Sequence, residues 1–223
     1  QYKNRDDLFV LEIPISIEGK EYKPSEMTHQ EWYKLMAATS EAPKTSQPSI
    51  LELEELLRTL RQEGYTHVLG AFLSSGISGF YQNAFYLQSE FEDMVVKFPE
   101  TFITSSPLGY MIETVLDAAD AGKSFDEIVA RFEYQRENDN AFMLVDDLHW
   151  LAKGGRLSRG GELLGTLLNI KPILQFSEDG KVVVYDKVRT SKKAVSELKK
   201  LMLANSDPKS HKVYVLHADE EDR

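Results

Sequence analysis

The chain has 223 residues, 42% of them hydrophobic, 28% charged and 10% aromatic, which is ordinary globular composition for one large domain or two small ones and argues against disorder. A net charge of −10 opposes bulk attraction to nucleic acid or to an anionic membrane surface, so neither is expected as a partner. The absence of cysteine removes disulfides, thiolate chemistry and cysteine zinc sites and fits a reducing, cytoplasmic setting; no apolar run approaches the ~18 residues of a membrane span, and no signal-peptide pattern opens the chain.

In chain order, the first predicted element is a strand over Leu8–Ile17. Thr28-x-x-Glu31 is a capping box and opens a helix. Ser49-x-x-Glu52 opens a second, for which Gly64 is a plausible stop. Strands are predicted over Thr66–Leu73 and Met94–Phe98, with a helix beginning near Phe80. A third box, Ser124-x-x-Glu127, starts another helix. Up to about residue 137 this succession of strands and helices implies a largely parallel sheet.

The remainder reads differently. Lys171–Phe176 and Val182–Val188 flank Ser177-Glu-Asp-Gly-Lys181, whose Asp-Gly dipeptide signals a hairpin and hence a mixed or antiparallel sheet. The polar stretch Gln135–Asn140 marks the expected boundary. Two α/β domains follow, residues 1–137 and 138–223, with the interface between them as the default ligand site. Val213–Leu216 reads as a core strand. That strand close to the end of the chain, and Gln1 at its start, lead us to expect an incomplete copy.

Three segments could carry chemistry. In Phe72-Leu-Ser-Ser-Gly-Ile-Ser-Gly-Phe-Tyr-Gln82 a strand runs into a loop containing Gly76 and Gly79, then into a helix. Such a turn lies at the carboxyl edge of an open sheet, where ligands bind. Its helix N-terminus and the hydroxyls of Ser74, Ser75 and Ser78 suit an anion, although serines there serve equally well as caps. A nucleophile elbow is set aside, because Phe80 stands where G-x-S-x-G needs its last glycine. None of His29, His67, His149, His211 and His217 can be assigned as a catalytic partner.

The second segment, Pro43-Lys-Thr-Ser-Gln-Pro-Ser49, places Thr45 and Ser46 in a short loop before a helix, where they could meet a ligand or simply lead into that helix. The third runs from Val145-Asp-Asp-Leu through a short helix ending at Gly154, and leaves Arg156 and Arg159 on a glycine-rich loop. Loop guanidinium groups suit phosphate or carboxylate recognition or the docking of a partner, and solvated arginines are the plain alternative. Asp146-Asp147 suits helix capping better than metal binding. Neither a Walker A motif, nor G-x-G-x-x-G, nor a set of residues at metal-ligand spacing is found.

Taken together, P-K-T-S-Q-P-S at 43–49, L-S-S-G-I-S-G-F-Y-Q at 73–82, V-D-D-L…K-G-G-R at 145–156, G-T-L-L-N-I-K-P at 165–172 and K-V-R-T at 187–190 resemble the DegV family, in order and spacing, across essentially the whole chain. The resemblance implies two α/β domains holding a long-chain fatty acid at their interface. It implies a carrier without catalysis or cofactor of its own, which presents the acid to a separate fatty acid kinase for acyl phosphate formation in phospholipid synthesis. Carried across, Thr45 and Ser78 contact the carboxylate with Ser46 and Gly79 beside them, Arg189 is a further basic position near the head group, and Arg156 engages the kinase. The family's opening strand with its D-S-T-like motif and its closing T-H-x-G-x-G segment find no match here, in keeping with an incomplete copy. The alternative is a small-substrate enzyme related to dihydroxyacetone kinase, whose substrate-binding histidine has no counterpart that can be assigned.

Overall fold

The computed structural model describes residues 5–145, 148–158 and 170–218. Asp146, Asp147, Arg159 and the first five residues of the motif at 165–172 lie outside the described residues. The elements are β1 (Ile15–Ile17), β2 (Lys20–Tyr22), α1 (His29–Ala38), β3 (Lys44–Thr45), α2 (Ile50–Gln62), β4 (His67–Leu69), α3 (Phe80–Ala84), β5 (Val95–Lys97), α4 (Ser105–Asp120), α5 (Phe125–Asn138), β6 (Phe142–Leu144), α6 (Leu148–Lys153), β7 (Lys171–Phe176), β8 (Val182–Val188) and α7 (Ser191–Asn205). The fold is mixed α/β: β4 and β5 pair in parallel, β2-β1-β3 and β6-β7-β8 are antiparallel.

The local signals act as expected where they are self-contained. Thr28 and Ser124 close reciprocal boxes with Glu31 and Glu127, at 2.8 and 2.9 Å from the cap N–H to the carboxylate. The Ser124 N–H, with Lys123 assisting, holds the Glu127 carboxyl down to about 2. Ser49 does stand at the cap of α2, but its side chain makes no capping bond, so that box is not closed. The antiparallel β1–β2 hairpin was not foreseen. Its two-residue turn puts Glu18 at φ 49° and Gly19 at φ 80°, both left-handed, and Glu is not the residue that usually announces such a turn.

By proximity the chain gathers into two compact units, one of residues 1–68, 82–97 and 216–223 and one of residues 69–81 and 98–215. The first contains α2, which buries Leu53, Leu57 and Leu60 at helical spacing, and the edge-on pair Tyr22–Trp32. The second is organised on β6-β7-β8, whose central strand alternates faces. Ile173 packs with Val188, Ala194 and Leu198, so α7 covers one side. Leu174 packs with Leu148, Leu157, Val182 and Ile77, so α6 and two loops cover the other. A third cluster joins Ile103, Met111 and Phe132, tying α4 to α5.

Val213–Leu216 is not a strand. It forms no ladder with any described residue, and its side chains stay exposed, Val215 at 87%. Four apolar residues do not separate a core strand from an extended surface run, and here no described residue forms a ladder with them. Lys212 instead sits over the rings of Tyr110 and Tyr214.

Asp139, at the end of α5, has a buried Oδ2 without a partner among the described residues, and burial pushes its carboxyl up to about 6 from 3.8. Between those values the folded chain binds more protons than the unfolded chain, so stability falls as pH rises through that window. We expect Asp139→Asn to flatten this loss, by on the order of 1–3 kcal/mol at pH 8, about half of that at pH 5, and little near pH 3, below the unfolded value. Urea midpoints of both proteins at these pH values check it.

Candidate functional site

The serine segment between β4 and α3 is a densely hydrogen-bonded loop of the second unit. Ser74 is fully buried, and its hydroxyl donates to the carbonyl of Gly180 at 2.7 Å. The same oxygen accepts from the Gly76 N–H at 3.1 Å. The Ser74 carbonyl takes the N–H groups of Ile77 and Ser78, both at 3.0 Å, and its own N–H donates to Ile103. All the main-chain and side-chain groups of Ser74 therefore act on the loop's shape.

The loop rests on the turn of the β7–β8 hairpin at contact distance. A Cβ on Gly76 would lie 2.3 Å from the Gly180 carbonyl, and a Cβ on Gly180 would lie 2.0 Å from the Ser74 oxygen. Gly180 also adopts φ 71°, which suits glycine alone among common residues at such a contact. On the other side, the Glu100 carboxylate accepts from the N–H of Ser75 at 3.2 Å and of Thr101 at 2.9 Å. Thr101 is buried and donates to the Phe72 carbonyl at 2.8 Å. Phe102 is held at φ 53°, an unusual conformation for a bulky residue that persists only where its surroundings enforce it.

Ser78 is half-buried and lies two residues before Phe80, one of three rings in an apolar wall where Phe72 meets Phe80 and Phe98 edge-on at 5.1 and 5.0 Å. Its hydroxyl oxygen accepts from the Phe80 N–H at 3.3 Å. Its own proton has no acceptor among the described residues, so the hydroxyl can donate to an anion. Gly79 next to it is exposed. The strand before this loop stops at Leu69 and not at Leu73. α3 has only five residues, too few for a sustained dipole. Of the two anion donors that the sequence offered here, the structure retains the hydroxyl and not a sustained helix end.

The arginine loop follows α6. Gly155 turns the chain at φ 71°, and the exposed Arg156 donates from its guanidinium to the Gly154 carbonyl. Leu157 then bridges to Val182 in parallel, and Ser158 N–H donates to the Val182 carbonyl at 2.9 Å. Val182 lies two residues after Gly180, so both loops attach to the same end of the hairpin. Arg189 follows β8 at the opposite end, seven residues beyond Val182, or roughly 20 Å of extended strand. It is exposed.

Thr45 and Ser46 belong to the first unit and do not lie in a free loop. Thr45 is in the edge strand β3, opposite Ile15, and the Ser46 N–H donates to Pro14 at 3.1 Å. Both are exposed. Ser74, Glu100 and Gly180 were not singled out from sequence as a group. Asp-Gly marked the hairpin, but its contact with a serine 106 residues earlier is tertiary. Among the described residues no cluster of His, Asp or Glu could hold a metal ion, and no helix is long and apolar enough to cross a membrane.

Comparison with known proteins identifies the family and agrees with the fold. The family model described as "Uncharacterised protein, DegV family" matches residues 1–223. The DegV domain-containing protein YqaC of Lactococcus lactis is 63% identical over 100% of this chain and 80% of its own length. The crystal structure of the fatty acid binding DegV family protein SAG1342 from Streptococcus agalactiae superposes with a TM-score of 0.89 at 46% identity, over 92% of this chain and 73% of that one. DegV from Bacillus subtilis, a fatty acid binding protein, superposes with a TM-score of 0.77 at 31% identity, over 87% and 69%. The whole of this chain thus belongs to the DegV family.

Proposed function

We propose that this protein binds one long-chain fatty acid and presents its carboxylate to a separate kinase that makes the acyl phosphate. The observation that carries the reading is Ser78: a half-buried hydroxyl with a proton to donate, bonded to the backbone of Phe80 and on a loop held by buried bonds. Its relatives of known structure named above are fatty acid binding proteins. An acyl chain of about sixteen carbons contributes roughly 12 kcal/mol gross on burial, at ~0.8 kcal/mol per methylene. A head-group hydrogen bond contributes only ~1–3 kcal/mol. The tail therefore dominates affinity, and the hydroxyl sets orientation and preference for an acid. Gly79, Thr45 and Ser46 join Ser78 in this reading through the resemblance. Arg189 does so too, but its place at the far end of β8 argues for a contact away from Ser78. Arg156, exposed on its glycine loop, is the proposed docking contact for the kinase.

Calorimetry of the delipidated protein with palmitate and with oleate should give one site per chain, and no heat with either acid sinks the proposal. Ser78→Ala should weaken the acid by roughly ten- to a hundredfold while leaving the fatty alcohol of equal length nearly unchanged. Equal weakening of acid and alcohol would show that Ser78 only shapes the loop. Arg156→Ala should leave fatty acid binding intact and sharply lower acyl phosphate formation in a coupled assay with the kinase; equal loss of both moves Arg156 into the binding site.

A further inference from the structure

Resting on the reading of Ser78 as the head-group donor, we infer that Ser74 is a positioning residue, which acts through the turn at Gly180 to fix where the Ser78 hydroxyl points. Ser74 has no solvent exposure, so a direct role in meeting a ligand is excluded by its burial. Its hydroxyl is both donor and acceptor, at 2.7 Å to Gly180 and 3.1 Å from Gly76, and so spans the loop and the hairpin turn. Its carbonyl accepts the Ser78 N–H at 3.0 Å, which sets the backbone that carries the recognising hydroxyl. Ile77, between the two, is packed against Leu157, Leu174 and Val182. The loop thus has one arm in the core and one on the turn, and the Ser74 side chain hydrogen-bonds both Gly76 and Gly180.

Removing the Ser74 hydroxyl leaves the Gly180 carbonyl and the Gly76 N–H without their partner in a buried place, and the loop can satisfy them only by moving. A hydrogen bond weakens steeply when its angle is lost, whereas burial of an acyl tail is insensitive to direction. The expected mark of Ser74 is therefore lost preference for acid over alcohol, not lost binding.

The test measures palmitate and hexadecanol affinities, with thermal midpoints, for the wild type, Ser78→Ala, Ser74→Ala, Ser74→Cys and Thr114→Ala. Thr114 is a control: a buried hydroxyl of the same unit that donates at 2.8 Å to Met111 within α4. We expect Ser74→Ala to lower the acid-to-alcohol ratio by about five- to tenfold and Thr114→Ala to lower only the thermal midpoint. Cysteine keeps the shape but is a weak donor on a longer bond, so Ser74→Cys should lower the ratio by about threefold, and it decides the matter if the alanine variant does not fold. A wild-type ratio in either folded Ser74 variant, or an equal fall in the Thr114 variant, overturns the inference. A wild type that binds neither lipid, or a Ser78→Ala variant with an unchanged ratio, overturns the underlying reading and the inference with it.

Discussion

The serine loop of the second unit depends on one buried clasp, the hydroxyl of Ser74 set between the carbonyl of Gly180 and the N–H of Gly76. Each bond made contributes only about 1 kcal/mol, but each left unmade costs roughly 1–3 kcal/mol because water cannot replace it. The clasp therefore acts less as glue than as a rule against alternatives. With it in place the loop must follow the turn, the Ser74 carbonyl must face the Ile77 and Ser78 amides, and the Ser78 hydroxyl stays within reach of the Phe80 N–H. Glu100 and Thr101 secure the same loop from the opposite flank and tolerate a left-handed Phe102 in doing so.

The arginine loop is fastened to the same piece of backbone. Leu157 bridges to Val182, and Leu157, Val182 and Ile77 share one apolar cluster on the face of β7 that also receives Leu148 of α6. Two loops with unlike chemistry, one bearing hydroxyls and one a guanidinium, are thus built on one hairpin end. Interiors packed at this density move as blocks more readily than they deform. Relative placement of Ser78 and Arg156 is consequently a property of the hairpin, and neither loop has to be positioned by its own sequence alone.

What could be read from the sequence follows from the range of each interaction. The Thr28 and Ser124 boxes involve residues three apart, and both close as read. β7 and β8 emerge with the bounds anticipated, because alternation and an Asp-Gly turn are local signals that agree. The motif order also sufficed to place the chain in its family. Failures occur where a local pattern needed a distant partner. Val213–Leu216 has the composition of a strand and no ladder. Ser74, Ser75 and Ser78 look alike in sequence, yet one is buried and bonded on all sides while another keeps a proton to give. Arg189 follows the far end of β8 from Val182, a placement that strand length sets and motif spacing along the chain does not.

The contact between Gly76 and Gly180 carries a consequence for how this protein can vary. A side chain on Gly76 would meet the Gly180 carbonyl at 2.3 Å, and one on Gly180 would meet the Ser74 hydroxyl at 2.0 Å. Tolerance at one position is accordingly conditional on the other segment retreating, and retreat of the hairpin turn would drag Val182 and the bridge to Leu157 with it. Single-residue exploration is blocked at both places, so drift in this region has to proceed by concerted replacement of loop and turn. The serine loop and the hairpin are, in that sense, one inherited unit written in two distant stretches of the chain.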